Sequence, residues 1–232
     1  PDVVVNCIAY LGIENCEGNP ALAFHINSLL PLKLRQLSES LGFLLIHFST
    51  ESVFSGVKGS FVGESDTPDP VNVYGISKHA GDLALSDSNA LIFRLPVLFG
   101  ESGSQRVQFL ERMISLAAKS SAELRIADDV VTSPTYASDV AAVVVQALCD
   151  RLAPGLYHVT NSGSVSLCGL VRWALDALGL SAQVTAVSHT EFPRLGRQHL
   201  VTPLMQERLP PLRSWRAALT DYCESVSLTN AV

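Results

Sequence analysis

The sequence predicts an α/β fold built on a parallel sheet, and three observations carry that prediction. Short β-branched or apolar runs take turns with stretches of helical periodicity, those runs do not alternate polar with apolar residues, and no internal repeat or low-complexity tract interrupts the order. A strand loses its alternation when crossover helices cover both of its faces, which is the situation in a parallel sheet. The chain has 232 residues, 47% of them hydrophobic and 16% charged, so it can bury a core without staples and is too apolar for disorder.

The elements follow in order. Val3-Val4-Val5, ending in Asn6-Cys7, reads as a buried strand. Asn19-Pro20 introduces a helix over residues 21–41, with Leu22, Ile26, Leu29, Leu30, Leu34 and Leu37 at near-helical spacing and Gly42 at its stop. Residues 43–48 form a second strand that runs straight into the hydroxyl-rich turn Ser49-Thr50-Glu51-Ser52. Gly56, Gly59, Gly63, Pro68 and Pro70 make residues 55–70 an exposed loop. A helix over 72–86, a strand over 90–94 and a helix over 105–119 continue the pattern. A strand over 124–127, a helix over 135–150, a strand over 155–159 and helices over 167–178 and 214–226 complete it. Ligands of such sheets bind beyond the carboxyl ends of the strands, so the turns after Asn6, Phe48 and Arg94 are the places for a site.

Composition excludes several classes of partner. With 16 Lys and Arg against 22 Asp and Glu, a net charge of −6 and no basic run, no nucleic acid is expected. The longest apolar stretches, broken by Asn6, Gly12 or Gln146, fall short of the roughly 20 residues that span a bilayer, so no membrane is expected either. The five cysteines are odd in number, lack a C-x-x-C pair and sit mostly in apolar segments, as buried thiols in a reducing cytoplasm do. The six histidines form no H-x-x-x-H pair and no cluster with cysteine, so no metal is expected. The opening Pro1-Asp2, without Met and directly before an apolar run, is expected to be a cut start.

Tyr74-Gly75-Ile76-Ser77-Lys78 sets a phenol and an ammonium four residues apart at the start of a helix, where both project from one face. A nearby ammonium favours the phenolate and lowers a phenol pKa of about 10 toward the range useful for proton exchange. Simple composition counting gives such a spacing a chance of roughly 0.09, so an exposed pair decorating a helix stays open as the alternative. Thr50, 24 residues upstream in the turn after a strand, faces the same crevice and can donate to a carbonyl oxygen. A turn residue bonded to its own backbone is the alternative for Thr50.

These residues resemble the extended short-chain dehydrogenases/reductases, and within them the dTDP-4-dehydrorhamnose reductase branch. The likeness runs through Pro1 to Cys7, His47-Phe48-Ser49-Thr50, Glu64 to Pro68, Pro70 to Lys78, Arg94 to Gly100, Asp128 to Asp139 and Leu209 to Arg216. It implies a Rossmann-like doubly wound parallel sheet with a small C-terminal substrate-binding region. Residues 1–127 would be the remainder of the NAD(P)-binding domain, and 128–232 mainly the smaller region, interleaved with it. It further implies reduction of a nucleotide-linked 4-keto-6-deoxy sugar by NADPH or NADH in the cytoplasm, with Tyr74 as general acid, Lys78 tuning it and holding the nicotinamide ribose, and Thr50 polarising the keto oxygen. Asn6, Cys7, Ile8, Ala9, Ser49, Leu95 and Pro96, with Tyr74 and Lys78, would line the cofactor. Glu51, Ser52, Val97, Arg194 and Arg197 would meet the substrate, the two arginines at its diphosphate, where a guanidinium fork suits phosphate. A homodimer is compatible with this reading.

Three departures from the family pattern stand out. Pro1 matches a position roughly 60 residues into a complete member, so the Gly-rich phosphate turn is missing and this chain is expected to bind cofactor poorly and to be inactive alone. Gly100-Glu101-Ser102-Gly103 lacks the spacing to replace it. The usual Ser-Thr-Asp-Tyr-Val-Phe reads Ser49-Thr50-Glu51-Ser52-Val53-Phe54, and Arg-Thr-Ser-Trp-Val-Tyr-Gly reads Arg94-Leu95-Pro96-Val97-Leu98-Phe99-Gly100. Both changes remove an aromatic from the sugar wall. The Leu95-Pro96 form also resembles the regulatory β subunit of methionine adenosyltransferase, a non-catalytic dinucleotide binder, which is the alternative function. Asp128 and Asp129 read as structural or near the nucleotide, Asp139 as a first-turn helix acid, and Trp215 as a packing residue.

Overall fold

The computed structural model describes residues 1–101, 108–119 and 123–229. Four parallel strands form the main sheet in the order β1 (Val3–Asn6), β2 (Leu44–Thr50), β3 (Ala90–Leu95) and β8 (Gly155–His158). Register pairs Asn6 with His47, Thr50 with Leu95 and Arg94 with His158, so the carboxyl ends of all four strands lie along one edge. Every residue of β3 is buried, as expected of a strand covered on both faces.

Helices α3 (Leu30–Leu41) and α4 (Val73–Leu85) cover one face around Phe43, Leu45, Leu85 and Ile92, and α6 (Ala137–Cys149) covers the other through Val140 and Ala147 against Ile46, Leu91 and Phe93. The fold is therefore the α/β, doubly wound sheet that the sequence predicts. Gly42, at φ 78°, ends α3 in the left-handed conformation that glycine adopts without strain. The Asn72 side chain accepts from Gly75 N at 2.8 Å to start α4.

A second core gathers Phe99, Leu110, Ile126, Tyr136, Leu170, Trp215 and Tyr222. It is built by α5 (Phe109–Lys119), α7 (Leu167–Ala177), α8 (Trp215–Thr229) and the parallel pair β5 (Leu124–Ala127) and β10 (Val184–Val187). Small pairs join it: β4 (Leu98–Phe99) with β7 (Thr135–Tyr136), and β6 (Val131–Thr132) with β9 (Val165–Ser166). Trp215 is 1% exposed in this core and packs as the sequence predicts.

Several expectations are corrected. The helix over 21–41 is three pieces, α2 (Pro20–Phe24), a π-helical turn His25–Leu29 and α3, preceded by a separate short helix α1 (Ile13–Gly18). The physical reason lies at Pro31, which has no N–H to continue an α-helical ladder, and Leu30 N instead reaches back to His25 O. β2 continues to Thr50, because Ser49 and Thr50 still pair with Arg94 and Leu95 of β3. The loop 55–70 is largely exposed as expected but anchored at Val62, which packs with Val53, Phe54 and Leu204 and pairs with Leu204 in a parallel bridge. Strand β5 belongs to the second core's sheet and not to the main one. Of the cysteines, Cys16, Cys168 and Cys223 are buried, while Cys7 and Cys149 are exposed. Residues 105–107 of the expected helix, and Ser102-Gly103, lie outside the described residues.

Candidate active site

Helix α4 brings the phenol and the ammonium to the sheet's carboxyl edge, and its neighbours leave it little freedom. A Cβ on Gly75 would lie 2.1 Å from Ser52 O, and one on Gly81 2.3 Å from Asn27 O, so both contacts require glycine. The π-helical turn presents Asn27 and Ser28 to the same helix: Asn27 Nδ2 donates to Ser77 Oγ at 3.0 Å, and Ser28 Oγ donates to Ser77 O at 2.7 Å. Glu17 of α1 accepts from Val73 N at 2.9 Å and completes the helix start. Behind it, Arg94 of β3 and Asp82 of α4 form a 3.0 Å ion pair buried from water.

A cavity of about 440 Å³ opens at this edge. Thr50, Glu51, Ser52, Tyr74, Pro96, Val97 and Arg194 of the predicted set line it. Thr50 Oγ1 accepts from Ser52 N, donates to Ser52 Oγ at 3.2 Å and hydrogen-bonds the Tyr74 phenol. Its turn-forming and site-facing readings therefore hold together. Burial pushes the Tyr74 phenol up to about 12, further than the bond with Thr50 lowers it. The expected lowering of Tyr74 by Lys78 is thus corrected: Lys78 Nζ turns the other way, donating to Phe48 O at 2.6 Å and lying 3.3 Å from His47 Nε2, and is not among the cavity's lining residues. Burial lowers Lys78 itself to about 8, against the attraction of Asp82.

Glu51 is buried in the cavity wall. Thr132 Oγ1 lies 2.7 and 2.9 Å from its two carboxyl oxygens, and Val97 N–H and the Thr202 hydroxyl add further bonds. Burial nevertheless outweighs these donors and pushes the acid up to about 8.

The remaining predicted residues are spread along the same edge. Asn6 is buried and bonded to His47, Cys7 and Ile8 are exposed just past β1, and Ala9 is half-buried. Ser49 and Leu95 are buried at the ends of β2 and β3, and the Ser49 hydroxyl has no hydrogen-bond partner. Arg194 is exposed at the cavity mouth and donates to Gln198 Oε1 at 2.8 Å. The Arg197 side chain does not line the cavity, and its carbonyl accepts from Asn72 Nδ2 at 2.9 Å. Asp128 accepts from Ser166 Oγ, and Asp129 from Ser188 Oγ and His189 N, in keeping with the structural reading of both. Asp139, in the first turn of α6, pairs with Arg213 at 2.9 Å. Among the described residues no group of three or more His, Cys, Asp or Glu is placed to hold a metal.

Sequence reasoning missed Thr132, Thr202 and His199. His199 is 9% exposed, its Nε2 is 3.4 Å from Ser52 Oγ, and burial holds it near 4 and therefore neutral. Thr132 stands inside the Asp128 to Asp139 run, but nothing local marks its partner, 81 residues away.

The chain matches the model of the RmlD substrate binding domain family over residues 1–228. It is 32% identical over 233 residues to the spore coat polysaccharide biosynthesis protein SpsK of Bacillus subtilis, covering 98% of this chain and 80% of that protein. It is 33% identical over 234 residues to the dTDP-4-dehydrorhamnose reductase of Streptomyces griseus, covering 95% of this chain and 76% of that one. Among solved structures, the dTDP-4-dehydrorhamnose reductase of Bacillus anthracis in complex with NADP superposes with a TM-score of 0.90 at 26% identity, over 97% of this chain and 81% of that one.

Proposed function

The chain belongs to the RmlD substrate binding domain family, and from that premise we propose that it reduces the C4 keto group of a dTDP-linked 4-keto-6-deoxy sugar, dTDP-4-dehydrorhamnose, with NADPH. The observation that carries the reading is the hydrogen-bonded Tyr74 and Thr50 hydroxyls facing a cavity at the carboxyl edge of a parallel sheet, with Lys78 one helical turn on. Relatives named as reductases, and a structural neighbour in complex with NADP, favour catalysis over the regulatory-subunit alternative.

The residues suit a nicotinamide dinucleotide: the buried Ser49 hydroxyl at the end of β2 lacks a partner, and Asn6 to Ala9, Leu95 and Pro96 line the strand ends beside it. Such a cofactor, when bound, supplies the hydride. Tyr74 delivers its phenolic proton to the keto oxygen, and its raised pKa keeps that proton in place until the oxygen takes it. Thr50 polarises the same oxygen, and Lys78, whose amine donates to Phe48 O, holds the end of β2 beside it. Glu51, Ser52 and Val97 shape the sugar wall, and Arg194 and Arg197 serve the diphosphate. Residues 1–127 belong chiefly to the cofactor domain and 128–232 to the substrate region, interleaved through α6 and β8 on the main sheet and α5 and β5 in the second core. No helix of the described residues is long and apolar enough to cross a membrane, and action in the cytoplasm, as a homodimer, belongs to the same proposal.

The test is loss of nicotinamide absorbance when the native-length protein meets dTDP-4-dehydrorhamnose and NADPH. Tyr74→Phe should lower kcat by about 10²–10⁴-fold with an unchanged circular dichroism spectrum. Equal turnover by the variant would remove Tyr74 from its role, and no turnover by either protein would overturn the reductase reading.

A further inference from the structure

Behind Lys78 stand two buried side chains whose contact with each other the reaction described above does not use. His47 points inward from β2 at 1% exposure, with Nδ1 2.9 Å from Asn6 Nδ2 and Nε2 3.3 Å from Lys78 Nζ. The amide of Asn6 is oriented by its oxygen, which accepts from Ile8 N at 3.1 Å. Asn6 therefore offers an N–H to Nδ1, and a ring nitrogen that accepts a hydrogen bond carries no proton. His47 is held neutral, well below its ordinary range, by burial and by the adjacent Lys78. A neutral imidazole whose Nδ1 accepts has its one proton on Nε2, directed at Lys78.

An ammonium has three donors and no acceptor, so it meets that N–H with repulsion, whereas a free amine meets it with a lone pair. Lys78 donates to Phe48 O at 2.6 Å in either state. We propose that His47, locked by Asn6 into its Nε2–H tautomer, disfavours the charge on Lys78 and makes that lysine change protonation state within the working pH range. His47 is then a positioning residue acting through Lys78.

The surroundings support the assignment. Asp82, one turn along α4, favours the charge, but its carboxylate is paired with Arg94 of β3 at 3.0 Å. Glu17 of α1 is bonded to Val73 N, and the π-helical turn meets α4 with uncharged Asn27 and Ser28. Burial acts on Lys78 in the same direction as His47. The inference rests on the reductase reading only for its consequence, that the lysine beside Tyr74 loses its charge at mildly alkaline pH.

The test uses the full chain and no turnover. Long-range proton–nitrogen correlation on protein with ¹⁵N-labelled histidine should show the Nε2–H tautomer for His47, and a ¹³Cε-lysine titration should give Lys78 a depressed midpoint. In Asn6→Leu the freed Nδ1 takes the proton, Nε2 becomes an acceptor, and the Lys78 midpoint should rise by about one pH unit or more. His47→Gln should do the same, because its amide can turn its oxygen to Nζ. An Nδ1–H tautomer in the unmodified protein, a measurement that needs no variant to fold, overturns the proposal, as does an unmoved midpoint in both folded variants. Absent turnover with the Nε2–H tautomer intact would count against the reductase reading alone.

Discussion

Glu51 shows how far a residue's chemistry is set by its surroundings. The carboxyl is buried, its folded pKa lies near 8, and its ordinary value is 4.5. Between those values the folded protein keeps a proton that the unfolded chain releases, so the folded state binds more protons and stability falls as pH rises. The contribution is complete below about pH 4.5 and lost through about pH 8. Glu51→Gln keeps the hydrogen-bonding shape without the titration, so the thermal midpoint of the unmodified protein should decline relative to that variant from about pH 5 to pH 8. A constant difference across that range would show that Glu51 does not titrate there. At this scale the placing of Thr50 at a strand end and of Tyr74 and Lys78 on one helix was legible, because one turn and one helix hold each in a local pattern. The locking partners were not: His199 is 147 residues from Ser52, and Thr132 is 81 from Glu51.

Among the elements, α4 is the one whose position matters most, and packing rather than propensity fixes it. The Asn27 carbonyl of the π-helical turn sits where a Gly81 side chain would begin, at 2.3 Å. Backbone cannot yield there as a flexible side chain could. Gly81→Ala, favourable in an isolated helix, should therefore destabilise by about 1–3 kcal/mol, read as a lowered urea midpoint at an unchanged slope. A neutral or stabilising effect would mean that the turn and the helix move apart freely. The existence of α4, α6, α7 and α8 was readable from periodicity and stop signals. The break in the helix over 21–41 was not, because Pro31 near a helix start is also compatible with an ordinary first turn, so its missing N–H does not by itself announce the π register.

Over the whole molecule, two cores share one chain that crosses between them repeatedly. Contacts between residues far apart in sequence tie them together, including Glu51 with Thr132, Asn72 with the Arg197 carbonyl, and Glu64 accepting from His158 N. Unfolding should accordingly be one transition. Trp215→Ala, which empties the centre of the second core, should cost about 3–5 kcal/mol and lower the same midpoint whether secondary or tertiary signals are followed. Two separated transitions would show that the cores are independent. The amino-acid sequence by itself determined the α/β class and the parallel sheet, and it placed Tyr74 and Lys78 on one helix and Thr50 at a strand end, because periodicity and turn signals act over a few residues. Only the tertiary structure decided that β5 leaves the main sheet, that Lys78 turns toward His47 and that Glu51 keeps its proton. Strand pairing, burial and hydrogen-bond partnership depend on which distant segments meet, and no local pattern in the chain encodes that meeting.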